Sequence, residues 1–498
     1  MRSLAALEQD VRFQPGSFRL ESMGGLGLAV RDEYNELNLW DFAGLPLGLA
    51  ADRDSTSLDL WLDSGGRTFD RRFGSIEQET ERRRDTQLAG ETVVRSGALA
   101  VGADFGTFSF RRGAPFGDRT HLTRNGNQPA FVPMASGHLV GALRWGLRGL
   151  VARERFHEQV WSDVQKGDRI GVGSTGDRLE APNLFFPEDT KADALGLGAS
   201  LGYARGSQVE SGVYFDYRHE KIETDLATVR SIYNADEPRD VLGYGAAVIV
   251  RPRAHVEVGG AVGREWYASK ENYRFTLSGG SVDPPFSGRG EKALHGDRRD
   301  FVRLRGQADL PHTPVTVGAA FRVSYDRAQQ QAIEGRPSDF NDFIQTRVAG
   351  DTIQAPPIVE NQLAETRSIE FGGGASVRAL ESRATVGAEY RRFRDARSGD
   401  LLLARATGWE ARAGGELAVT RRWTARVGYR HHFEDQDSET PRNELVADRA
   451  SVGLAYEGLF HFTVEAYGYR EWWRSDYPDP EELGGPGSGL GLFLRRLF

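Results

Sequence analysis

Phe301-Val302-Arg303-Leu304-Arg305-Gly306-Gln307-Ala308-Asp309-Leu310 alternates strictly. Val302, Leu304, Gly306, Ala308 and Leu310 share one face, while Arg303, Arg305, Gln307 and Asp309 share the other. Pro311-His312-Thr313-Pro314 follows. Then Val315, Val317, Ala319, Phe321, Val323 and Tyr325 alternate with Thr316, Arg322 and Ser324. Successive side chains on a strand point to opposite faces, and proline cannot donate to a ladder. The stretch therefore predicts an antiparallel hairpin with its prolines confined to the turn. One face is apolar and the other is charged.

The pattern recurs. Trp409, Ala411, Ala413, Leu417 and Val419 oppose Glu410, Arg412 and Glu416; Trp423, Ala425, Val427 and Tyr429 oppose Arg422, Thr424, Arg426 and Arg430. Phe462, Val464 and Ala466 oppose Thr463, Glu465 and Tyr467, and upstream Val213, Phe215 and Tyr217 oppose Tyr214, Asp216 and Arg218. A soluble sandwich would have to bury these charges in a dry core, which is prohibitive. Propellers and β-helices repeat at a fixed period, and no such period is present. A wide barrel solves the problem by giving the charged face a lumen and the apolar face lipid.

The connections alternate in length. Short turns are expected near residues 204–207, 251–253, 311–314, 378–383, 420 and 457. Long polar stretches are expected at 160–191, 222–240, 267–297, 327–362, 433–445 and 475–487. Short turns on one rim and long loops on the other is the outer-membrane arrangement, with the long loops outside the cell. The fold predicted is all-β: a single transmembrane antiparallel β-barrel of about 18 strands (roughly 14 to 18), with a plug-like N-terminal segment. Residues 1–54 would be a hatch or periplasmic segment, and residues 55–498 the barrel.

Composition agrees. The chain has 498 residues, 60 of them glycine and none cysteine, which removes disulfides, thiolate metal sites and cysteine nucleophiles together. Its net charge of −8 creates no basic field for nucleic acid. With a mean hydropathy of −0.49 and no long apolar run, no transmembrane helix is expected. Barrel strands escape that test, because only every second residue meets lipid. Met1 to Asp10 lack the basic-then-apolar pattern of an export leader; the leader has been removed, the start is misassigned, or the barrel is wrong.

The first fifty residues do not alternate. Ser22-Met23-Gly24-Gly25-Leu26-Gly27-Leu28 runs into Asp32-Glu33, Asn35 and Asn38, then Asp41-Phe42-Ala43-Gly44-Leu45. This resembles the N-terminal element of the long-chain fatty-acid transporter family of outer-membrane barrels. There a glycine-rich stretch precedes an acidic pair, an Asn and an Asn-Pro-Ala-Gly-Leu run. Asp41-Phe42 stands here in place of Asn-Pro. The resemblance implies a short segment folded into the barrel as a hatch, with Gly24, Gly25, Gly27, Asn35, Asn38 and Gly44 as candidate hatch residues, and a hydrophobic cargo. From the residues alone, a glycine-dense segment can pack closely inside a lumen; a periplasmic tail is the other reading. The chain ends in alternating Leu490, Leu492 and Leu494 and terminal Phe498, the aromatic ending typical of outer-membrane barrels.

Arg303, Arg305, Arg322, Arg412, Arg422, Arg426, Glu410 and Glu465 are the candidate lumen-lining residues. Their mixed signs predict ion pairs bracing the wall in preference to an ion-selective ring. Chemistry is sparse. His431-His432, beside Glu434, Asp435 and Asp437, stand where a strand should enter a loop, and adjacent strand residues point apart, so they make a poor metal site. Trp472-Trp473 suit an interfacial aromatic belt. No enzyme and no cofactor is expected. The sequence points to a porin-like outer-membrane channel or passive transporter of a Gram-negative bacterium, for small molecules including hydrophobic ones. Outer-membrane lipid is the expected partner. The alternative is a structural barrel that sheathes or anchors a periplasmic or surface protein held in or under it.

Overall fold

The computed structural model describes residues 18–28, 30, 55–73, 77–96, 99–115, 120–162, 169–172, 177–180, 188–205, 208–227, 231–253, 255–279, 282–333, 362–399, 404–438, 443–458, 462–476 and 482–497. After a short helix α1 (Phe18–Ser22) come β1 (Ser55–Phe73), β2 (Glu77–Ser96), β3 (Leu99–Pro115), β4 (Thr120–His138) and β5 (Leu143–Ser162). A small hairpin, β6 (Arg169–Val172) with β7 (Asp177–Glu180), stands apart as its own sheet. The main sheet resumes with β8 (Glu188–Arg205), β9 (Val209–Ala227), β10 (Ser231–Arg253), β11 (Val256–Gly279), β12 (Val282–Asp309) and β13 (Val315–Ile333). It ends with β14 (Gln362–Ala379), β15 (Ala384–Gly399), β16 (Ala404–Ala418), β17 (Trp423–Ser438), β18 (Asn443–Glu457), β19 (Phe462–Asp476) and β20 (Glu482–Leu497).

Each of the 18 strands of this sheet pairs antiparallel with its sequence neighbour, and β1 pairs with β20 from Ser57↔Leu497 to Asp70↔Gly484. The sheet is closed, so every strand has two partners and no edge is left to aggregate. The faces follow the alternation. Val302 pairs with Val323 and Leu304 with Phe321 on the outside, while Arg303 pairs with Arg322 on the inside. Outward Leu197, Val213, Val427 and Val452 are 66%, 54%, 61% and 61% exposed, whereas inward Glu220, Glu389 and Glu471 are 4% exposed or less. That inversion of a soluble protein is what lipid outside demands.

The short turns lie where expected, among them 310–314, 380–383 and 419–422. At the other rim the outcome differs. Residues 222–240 and 267–297, expected as loops, are mostly ladder: β9 and β10 stay paired to Ile232↔Ala227, and β11 and β12 to Gly279↔Val282. About 9–11 tilted residues cross a membrane, so strands of 24 and 28 residues continue well past it. Beyond the lipid the outer face no longer needs apolar residues. The apolar rhythm stops there while the backbone ladder continues.

Candidate functional site

The polar face of the barrel is a lattice of ion pairs. Arg148 holds Asp216 at 2.6 Å, and Arg239 bonds Glu237 at 2.7 Å and reaches Glu220 at 3.7 Å. Arg426 lies between Glu465 at 2.9 Å and Glu416 at 3.4 Å, and Arg430 lies between Glu410 at 4.0 Å and Glu471 at 3.8 Å. Charges of both signs on adjacent strands satisfy one another across the wall, and bidentate Arg–carboxylate pairs fix side chains as well as neutralise them. A second patch is apolar. Trp61, Ala130, Ala152, Ala194, Tyr467 and Phe493 form one buried cluster, with Val132 and Leu150 against it. It was hidden in the sequence because β4 and β5 are apolar on both faces for part of their length.

The N-terminal segment enters this interior. Residues Ser376, Gly387, Gly414, Gly428 and Ser451 occupy successive strands β14 to β18 and are direct cross-strand partners: Ser376↔Gly387, Gly387↔Gly414, Gly414↔Gly428, Gly428↔Ser451. All face inward, and together they leave a shallow trough of three glycines flanked by two serines. Residues 22–26 lie in it. A Cβ at Gly414 would stand 2.1 Å from the Met23 carbonyl oxygen, and one at Gly428 would stand 1.9 Å from the Gly24 nitrogen. Gly24 and Gly25 take φ of +80° and +83°, a left-handed turn open to glycine at little cost. The turn brings Met23 and Leu26 to 0% exposure.

Polar contacts hold the segment along its length. The Arg19 Nε–H donates to Glu416 Oε2 at 2.9 Å, Arg449 reaches Glu21 at 3.3 Å, and Ser451 donates to the Ser22 carbonyl at 3.1 Å. Arg412 donates to the Gly25 carbonyl, Arg305 to the Gly27 carbonyl at 2.5 Å, and the Leu28 N–H donates to Glu389. Phe18 joins the apolar cluster, edge-on to Tyr467 at 5.1 Å and stacked on Phe493 at 5.7 Å.

Of the hatch candidates, Gly24, Gly25 and Gly27 therefore sit against the wall, while Asn35, Asn38 and Gly44 lie outside the described residues. Of the lumen candidates, Arg305 and Arg412 bond the segment, Arg426 pairs with Glu465, and Glu410 pairs with Arg412. Arg303 stacks on Phe301 at 5.0 Å, and Arg322 lines an inner cavity of about 350 Å³ with Arg299, Glu370 and Arg391. Arg422 departs from the set. It sits exposed in the turn 419–422, because β17 begins one residue later, and its N–H caps on Thr420 Oγ1 at 3.2 Å.

His431 and His432 lie inside β17, which runs on to Ser438, and not at a strand end. They part as expected: His431 bonds Asp448 at 2.7 Å on the outer face, and His432 meets Glu410 and Glu434 inside at 3.6 and 3.4 Å. Trp472 faces out at 46% exposure, and Trp473, next along the strand, faces in. Sequence reasoning missed Phe18, Arg19 and the trough. The available signal was Gly387, Gly414 and Gly428 recurring on the charged face, close to the short turns.

No protein-family model matches the chain, and no curated protein matches it. Among solved structures, the ferric yersiniabactin uptake receptor FyuA from Yersinia pestis is 9% identical, over 90% of this chain and 80% of that one, with a TM-score of 0.44. The toluene transporter TbuX of Ralstonia pickettii is 12% identical, with coverage of 96% and 97% and a TM-score of 0.38. The P. putida toluene transporter TodX is 10% identical, with coverage of 96% and 97% and a TM-score of 0.39. The assignment rests instead on the chain's own ladder. A closed sheet satisfies every strand's backbone in lipid and turns an apolar belt outward, and that places this chain in the bacterial outer membrane as a transmembrane β-barrel.

Proposed function

We propose that the chain is a passive outer-membrane channel for small molecules, hydrophobic ones included. Residues 55–498 form the barrel, residues 1–54 act as its hatch, and the rim of long hairpins faces out of the cell. The observation that carries this is the seat: residues 22–26 lie in a glycine-floored trough across β14–β18, and Arg19, Arg305, Arg412 and Ser451 tie the segment down. The seat is built from non-covalent, mostly polar contacts, which a solute or a change of ionic strength can compete with. The hydrophobic preference is supported by the apolar cluster that Phe18 completes. When the segment leaves, Phe18 leaves with it and uncovers apolar wall. The resemblance of residues 22–45 to the fatty-acid transporter element agrees with both points.

In cells with an intact outer membrane, the full chain should speed entry of the apolar dye N-phenylnaphthylamine several-fold over cells without it. Leu150→Glu sets a carboxylate beside the apolar cluster and should return entry to background while the barrel still assembles. Dye entry unchanged by Leu150→Glu would remove the hydrophobic preference from the proposal.

A further inference from the structure

Outward-facing arginines are expensive in the membrane midplane and cheap at its boundary. On β15 the outward residues from the short-turn rim are Val386, Ala388, Tyr390, Arg392 and Arg394, so the belt ends in an aromatic followed by two cations. Arg405 of β16 stands next to them, paired with Ala396 two residues beyond Arg394. Tyr390 stacks with Trp409 at 6.1 Å, and Trp409 with Phe433 at 6.2 Å, which marks the interface directly below the cations.

Several outward cations elsewhere carry a carboxylate. Arg298 has Asp300 at 3.1 Å, Arg153 has Asp193 at 2.6 Å, and Lys221 has Glu223 at 2.5 Å. Arg392, Arg394 and Arg405 are exposed; Asp437 is the cross-strand partner of Arg405, and no ion pair among the described side chains holds the three arginines. They line a surface cleft of about 450 Å³ that also takes in Thr407 and one acidic side chain, Asp435. Beside the arginines, as cross-strand partners of Arg394 and Arg392, stand Ile369 and Phe371, which are 44% and 48% exposed.

Three clustered, exposed guanidiniums beside exposed apolar side chains suit an amphiphile with an anionic head and acyl tails. Guanidinium forks match phosphate oxygens bidentately. We infer that Arg392, Arg394 and Arg405 form a site for a multiply phosphorylated glycolipid of the outer leaflet. Its phosphates lie against the three arginines and an acyl chain along Ile369 and Phe371. Placing the site in the outer leaflet rests on the orientation proposed above.

The delipidated full chain in nonionic detergent, titrated with diphosphorylated lipid A and followed by native mass spectrometry, tests this. One lipid per chain is expected. The variant R392Q/R394Q/R405Q should weaken binding at least about tenfold, whereas R378Q/R383Q at the opposite rim should leave it unchanged. Dephosphorylated lipid A, phosphatidylglycerol and inorganic phosphate should each bind the wild-type chain far more weakly. The inference is overturned if the triple variant binds as the wild type does, or if any of those three probes matches lipid A. These arms are read in detergent, so they do not depend on which rim faces outward. Protease cleavage of residues 334–361 on intact cells tests that separately.

Discussion

Val452→Arg is expected to abolish assembly of the barrel in the membrane. Val452 lies near the middle of the outward face of β18, between Leu454 towards the short turn and Ala450 towards the long rim, and it is 61% exposed. A cation at the bilayer midplane costs roughly 2–4 kcal/mol on the lipid face of a barrel. That is a sizeable share of the roughly 5–15 kcal/mol by which most proteins are stable. The heat-modifiable folded band on a semi-native gel should disappear. Thr463→Asp is the matched control: Thr463 faces inward and pairs with Arg495, itself 2.7 Å from Asp59, so a carboxylate there gains a cation and meets no lipid. Equal loss in both variants would mean that the two faces share one kind of environment, as in a soluble core.

Filling the trough is expected to open the pore. Gly414→Leu and Gly428→Leu each place side-chain atoms where backbone atoms of Met23 and Gly24 now stand, at 2.1 and 1.9 Å from the first added carbon. Backbone cannot yield as the tip of a flexible side chain can, so the segment must lift. The ladder is unaffected, because both side chains project into the lumen. A barrel of this strand number leaves an aqueous channel unless it is filled, so the double variant should raise single-channel conductance on the order of tenfold. Gly415→Leu, one residue away but facing lipid beside Val386, should leave conductance at the level of the unmodified chain.

The barrel was legible because each crossing carries its own alternation and each short turn its own Pro, Gly or charged break. Residues 301–325 alone specify a hairpin with one face for lipid and one for charge. The long-rim hairpins were not legible. In 222–240 the outward residues Glu223, Asp225, Asn234 and Asp236 are polar, so the rhythm that marks a strand vanishes while backbone pairing such as Asn234↔Asp225 persists. The seat was only half legible. Gly24, Gly25 and Gly27 are conspicuous in a line of sequence, but their counterparts Gly387, Gly414 and Gly428 become a trough only when the register aligns three strands. Arg422 was misplaced for a local reason: alternation extended one residue past Trp423 runs into the turn. The cluster around Trp61 and Ala194 was invisible because neighbours from distant strands assemble it.

Deleting residues 1–50 and recording single-channel conductance in a planar bilayer, beside the full chain, tests the hatch most directly. The ladder closes through β1 and β20 without those residues, so a folded barrel is expected from the truncated chain. A small conductance is expected from the full chain and a large, steady one from the truncated chain. A full chain that already conducts at the large level, unchanged by the deletion, would contradict the hatch.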